Sequence, residues 1–247
     1  MVVIMFNVYV VLAKAPFLTS YSQSDLFGKL IFWSLFLLSG ISWIILINKI
    51  YTTKSLKKYC SQFENSLQSK TDHFFNINTE SMPKSPYVNI FNILKQKTLE
   101  ILNKNRFFKD SEDKKQVYLS RSDIELIESH LYTTISSQIK SLEKNLFVLS
   151  TIVTLAPFLG LLGTVWGILI TFSELQSHSL ASGSSAVLSG LSMALSTTVV
   201  GLVVAIPALV ADKYLKSALK DFSKDMEYFS HNLLGIVEIQ YRRADIG

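Results

Sequence analysis

Polar and apolar positions along the chain fall into long blocks. An uncharged run from Leu30 to Ile47 (LIFWSLFLLSGISWIILI) has 18 residues, enough for one crossing of a hydrocarbon layer about 30 Å thick. A second uncharged stretch runs from Leu146 to Phe172 and would reach about 40 Å as a helix, so it must tilt or protrude. A third lies within Ala186 to Ala211, joined to the second by a short turn containing Glu174, His178 and Gly183. This patterning predicts an all-α, polytopic membrane protein with three transmembrane helices, at 30–47, 146–172 and 186–211. Around them lie a segment over 1–29, a long helical loop over 48–145, a turn over 173–185 and a helical tail over 212–247.

The loop is polar and lysine-rich, and Pro83 and Pro86 in MPKSPY break it into two helical stretches. Beyond that break, Ile124, Ile127, Leu131, Ile135, Ile139, Leu142 and Leu146 recur at steps of three and four residues, which writes one apolar stripe along a helix. Its partner is either a neighbouring helix of the same chain or subunit ring, or a separate soluble protein. No Gly or Pro intervenes before Leu146, so the reading at this level is one helix continuing from the loop into the second span. Leu215, Leu219, Phe222, Met226 and Phe229 extend the third span in the same manner.

Charge orients these spans. Residues 48–145 hold 16 Lys and Arg and 212–247 hold 6, whereas residues 1–29 hold only Lys14 and Lys29 and 173–185 hold none. Basic segments are retained in the cytoplasm, so the loop and the tail face inward, and the N-terminus and the 173–185 turn face outward. Met1 to Leu12 is apolar but lacks a basic start and a small-residue cleavage site, which favours an outer interfacial segment over a signal sequence. A net charge of +5 is explained by this topology without nucleic acid. The hydrophobic share of 49% and the mean hydropathy of +0.30 agree with a membrane class. Cys60 stands alone, and His73, His130, His178 and His231 are scattered. No metal, cofactor or catalytic constellation is expected, and the chain does not read as an enzyme.

The second span contains LAPFLGLLGTVWGILITF, in which Gly163 and Gly167 form a GxxxG pair beside Gly160. Gly190, Ala194 and Thr198 recur at four-residue steps in the third span, followed by Gly201 and Ala205. Small residues allow close backbone approach, which is how helices associate in lipid. Pro157 and Pro207 free the carbonyls of Val153 and Val203, so helix kinks are expected at both, the alternative being that proline is simply tolerated in a membrane helix. Ser185, Ser189, Ser192 and Ser196 form a hydroxyl stripe beside Thr197 and Thr198, and Ser150, Thr154 and Thr164 lie in the second span. Each hydroxyl faces protein or water, or bonds back to the carbonyl one turn earlier.

APFLGLLGTVWG (Ala156 to Gly167) and GLSMALSTTVVGLVVAIPALV (Gly190 to Val210) resemble the membrane hairpin of TolQ and ExbB, and more distantly MotA. The resemblance is close over the hairpin and extends to the rest in outline. It implies a homopentameric ring in the bacterial inner membrane, around a TolR/ExbD-like single-span partner whose aspartate titrates. A TolA/TonB-like protein spanning the periplasm would take up the work, in Tol-Pal maintenance or TonB-type transport. By position, the pore-facing threonines of that family fall on Thr164 and Thr198, with Thr197, Ser192 and Ser196 beside them. Where TolQ and ExbB place a glutamate, three residues after Gly190, this chain has Met193. Neither the second nor the third span contains an ionisable side chain, and hydroxyl groups do not titrate at accessible pH. The resemblance therefore implies that this chain walls a proton path and the partner supplies the carboxyl group. A non-conducting scaffold is the competing expectation; a permease or intramembrane enzyme lacks any polar cluster in the spans.

Overall fold

The computed structural model describes residues 20–22, 24–68, 82–83, 85–108, 118–177 and 184–241. Among them the architecture is helical and contains no sheet: α1 (Leu26–Gln68), α2 (Pro86–Phe108), α3 (Arg121–Glu143), α4 (Leu146–Ser177) and α5 (Ser184–Tyr241). Three of these, α1, α4 and α5, are long and apolar enough to cross a membrane. The apolar N-terminus, Met1 to Leu12, lies outside the described residues. So do His73 and, within the 173–185 turn, residues 178–183 with His178; α4 takes up the turn's first part through Ser177 and α5 its last two residues.

The chain divides into two compact units, one formed by Met1–Asn48 and Asn145–Tyr214 and the other by Lys49–Lys144 and Leu215–Gly247. The second is built as a water-soluble bundle is. Its core gathers Phe63 of α1, Tyr87, Ile90, Phe91 and Leu94 of α2, Ile127 and Leu131 of α3, and Met226, Phe229 and Leu233 of α5. Tyr87 stacks on Phe229 with ring centroids 4.1 Å apart, and Phe63 meets Phe91 edge-on at 5.7 Å; both are favourable aromatic geometries. Burial in this core pushes the Tyr87 phenol above its ordinary range. The stripe expected from sequence is the buried face of α3, where Ile124, Ile127, Leu131 and Ile135 are buried and Ile139 and Leu142 pack against the same core. Leu215, Leu219, Phe222, Met226 and Phe229 are buried as well. The α3 stripe is thus satisfied within its own chain.

α3 starts on a capping box: the Ser120 hydroxyl accepts from the Asp123 backbone N–H, and the Asp123 carboxylate accepts from the Ser120 N–H. Asn105 also donates to Asp123 at 3.0 Å. Burial raises the Asp123 pKa, but these hydrogen bonds to its ionised form outweigh that and hold it below the usual carboxylate value. At its other end α3 stops, contrary to the expectation of one helix running on through Leu146. Lys144 leaves the helical region, and Asn145 takes a positive φ of 73°, a backbone state that asparagine tolerates better than most residues. The Lys49 ammonium donates to the Leu142 carbonyl at 2.6 Å, one of the acceptors a helix end leaves without an internal partner. The sequence lacked Gly or Pro there, and the break is made by an asparagine and a lysine from α1.

Candidate functional site

In the unit that holds the spans, α4 and the first part of α5 form an antiparallel hairpin whose contact line is lined with small residues. A Cβ added at Gly201 would lie 2.7 Å from the Ala156 carbonyl oxygen and 3.1 Å from the Gly160 Cα, and one at Gly160 would lie 3.1 Å from the Thr197 carbonyl oxygen. At Gly167 the obstacles are the Gly190 carbonyl oxygen at 2.8 Å and the Ala194 Cβ at 2.9 Å; at Gly163 it is the Thr197 side chain, and at Gly190 that of Thr171. The distances below 3.0 Å are ones that a real Cβ does not adopt, and those at 3.1 Å are tighter than most real Cβ contacts. Gly160, Gly163, Gly167, Gly190, Ala194 and Gly201 therefore form one seam, which the backbones can reach only because side-chain bulk is missing.

Hydroxyls follow the seam. Thr198 Oγ1 lies 3.0 Å from the Gly160 carbonyl oxygen and 3.4 Å from Thr164 Oγ1, and Thr164 donates to the Leu161 carbonyl at 2.6 Å. The two threonines singled out from sequence thus meet, both only partly buried. Thr197 is fully enclosed at 0% exposure, donates to the Ala194 carbonyl at 2.8 Å and fills the notch at Gly163. Ser192 and Ser196 lie apart from the threonine pair in their bonding: both approach Ser20 of the N-terminal segment, at 3.2 and 2.9 Å. Pro157 and Pro207 are each contained within an unbroken helix.

Met193 is buried, and its thioether fills the space left by Gly28 on α1. Beside it the residue just before α1 is an acid that the charge pattern of the spans does not include. Asp25 accepts from its own helix through the Gly28 N–H at 2.9 Å and from the Trp166 indole at 2.9 Å, while Phe27 packs on that indole at 4.5 Å. The signal was present: Asp directly before an apolar run is a helix-start residue. A second acid was also missed. Asp212, one residue beyond the uncharged third span, is buried at 4% exposure and accepts from Ser150 at 2.8 Å. Among the described residues no three His, Cys, Asp or Glu side chains gather as a metal site would require.

The outward faces of both hairpin helices are apolar. Phe158, Leu161, Val165, Leu169 and Phe172 of α4, and Leu188, Leu195, Leu202 and Ile206 of α5, are exposed, as lipid-facing or helix-facing positions in a membrane are.

Comparison with known proteins places the same residues in a family. The sequence profile of the MotA/TolQ/ExbB proton channel family matches residues 100–228. A biopolymer transport protein ExbB of Aquifex aeolicus is 36% identical over 88 residues, which cover 36% of this chain and 59% of that one. A putative ExbB-like protein of Helicobacter pylori is 49% identical over 72 residues, 28% of this chain and 46% of its own. The Tol-Pal system protein TolQ of Haemophilus influenzae is 34% identical over 103 residues, 42% and 45% respectively. The chain spans about half the length of the relatives it matches. With the profile covering more than half of its own length, and three helices able to cross a membrane, this chain belongs to the MotA/TolQ/ExbB proton channel family.

Proposed function

We propose that the chain is the channel-wall subunit of an energy transducer driven by the proton-motive force, in the bacterial inner membrane, with its N-terminus outward and the 48–145 loop and C-terminal tail in the cytoplasm. The observation that carries this reading is the Thr164–Thr198 pair, whose hydroxyls meet at 3.4 Å over the glycine seam. Neither span has an ionisable group of its own, so the titrating carboxyl in mid-membrane comes from a single-span partner of the TolR/ExbD kind, surrounded by a homopentamer of this chain. A carboxyl group in hydrocarbon is costly unless it has polar company, and two hydroxyls with acceptor lone pairs supply it. Each proton then releases about 2.3 kcal/mol per 100 mV. A periplasm-spanning protein of the TolA/TonB kind carries that work outward.

Thr164→Val and Thr198→Val keep volume and remove the hydroxyl. Both variants are expected to assemble with the partner and to lose coupled work, measured as proton uptake by vesicles carrying the complex. Wild-type uptake in both would overturn the reading. A non-conducting scaffold is favoured by one observation, the apolar burial of Met193 where relatives in the resemblance carry glutamate. The scaffold predicts no proton uptake in the wild-type complex.

A further inference from the structure

The hairpin holds a second polar pair on the same seam as the threonines. Ser150 precedes Thr164 by 14 residues, and Asp212 follows Thr198 by the same 14. That interval is close to four turns in each helix, so the antiparallel register sets both pairs on one side of the contact line, about 21 Å apart. Ser150 Oγ lies 2.8 Å from Asp212 Oδ1 and 3.1 Å from the Leu146 carbonyl oxygen. The neighbouring buried positions, Leu149 and Ile152 on α4 and Ala208 and Ala211 on α5, are apolar.

A serine hydroxyl has one hydrogen and two lone pairs, and here it has two acceptors in reach. With the carboxylate ionised, Ser150 donates to Asp212. With the carboxyl protonated, Asp212 donates to Ser150 Oγ, and Ser150 turns its hydrogen to the Leu146 carbonyl. Both protonation states are therefore hydrogen-bonded with the heavy atoms where they are. α4 has no ionisable side chain from Leu146 to Phe172 and α1 none from Leu30 to Asn48, while Lys213, Tyr214 and Lys216 follow Asp212 on its own helix.

We propose that Asp212 is a proton-exchange site at the inner end of the hairpin seam, with the Ser150 hydroxyl as the swivelling partner that stabilises both of its forms. This rests on the proton-path reading above and adds to it a carboxyl group belonging to this chain, on the inner side of the partner's carboxyl that the threonine pair attends.

The test uses the full chain in vesicles, with aspartate carboxyls labelled with carbon-13 and infrared spectra recorded across pH. In the difference between wild-type and Asp212→Asn spectra, a label-shifted band of protonated carboxyl is expected to grow as pH falls, and in Asp212→Glu a protonated carboxyl band is expected without the label shift. Ser150→Ala should move the frequency of that band upward, because the protonated carboxyl loses the hydroxyl it donates to. In the complex with its partner, Asp212→Asn should lower coupled proton uptake at least tenfold and Asp212→Glu should restore most of it. A lower rate with no such band in the wild type means that Asp212 only clamps the helices, and overturns the proposal; so does wild-type uptake in Asp212→Asn. Should the asparagine variant fail to assemble, the wild-type and Ser150→Ala titrations still decide. If the threonine variants lose coupling while Asp212→Asn keeps it, this inference falls and the proton path stands. If all three keep it, both fall.

Discussion

The two units of this chain are held together by opposite means. The unit of Lys49–Lys144 and Leu215–Gly247 buries large side chains, with Phe91, Leu94, Ile127 and Met226 at 0% exposure. The hairpin turns most of its large side chains outward and brings backbone against backbone at Gly160, Gly163, Gly167, Gly190 and Gly201. In water, removing apolar area from solvent drives association. Lipid tails offer no such gain, and what remains is close packing and hydrogen bonding. The same chain thus obeys two packing rules, and the break at Lys144 and Asn145 falls where one gives way to the other.

Substitutions can break that contrast. Phe91→Ala removes a fully buried ring from the bundle and is expected to cost about 3–5 kcal/mol, read as a lower denaturation midpoint of the purified protein. Gly201→Val inserts bulk against the Ala156 carbonyl and the Gly160 backbone and is expected to cost roughly 3 kcal/mol, read as lost hairpin association in detergent. Gly235 of the bundle has nothing within 4 Å of an added Cβ, so Gly235→Ala should stabilise α5 by up to about 1 kcal/mol. Equal harm from the two glycine substitutions would abolish the distinction. The smallest effect concerns pH. Asp123 has a depressed pKa in the fold, so its contribution is fully present above the unfolded value and is lost as pH falls through the folded one. Asp123→Asn should flatten the acid limb of the bundle's stability profile, followed by thermal melting across pH.

The long apolar runs and the α3 stripe were legible because their signals are periodic and repeated along many residues. The glycine seam was legible as well, down to Gly163 and Gly167. The partners of single polar side chains were not. Ser192 and Ser196 read as part of one hydroxyl stripe with Thr198, yet both approach Ser20, more than 170 residues away. Asp25 and Asp212 sit just outside the uncharged runs, and counting charges within those runs passes over them. The end of α3 was misread because its cause is an asparagine in a left-handed conformation and a lysine on another helix, and neither leaves a periodic trace.

That two-residue turn has a consequence for how the gene can vary. α1 and α5 pass the boundary between the units as unbroken helix, whereas the third passage is Lys144–Asn145. One residue inserted into α1 or α5 there would rotate everything beyond it by about 100° and spoil every face downstream. One residue inserted between Lys144 and Asn145 would lengthen a turn and leave both neighbouring faces in phase. Length differences among related chains at this level are expected to gather at that junction alone.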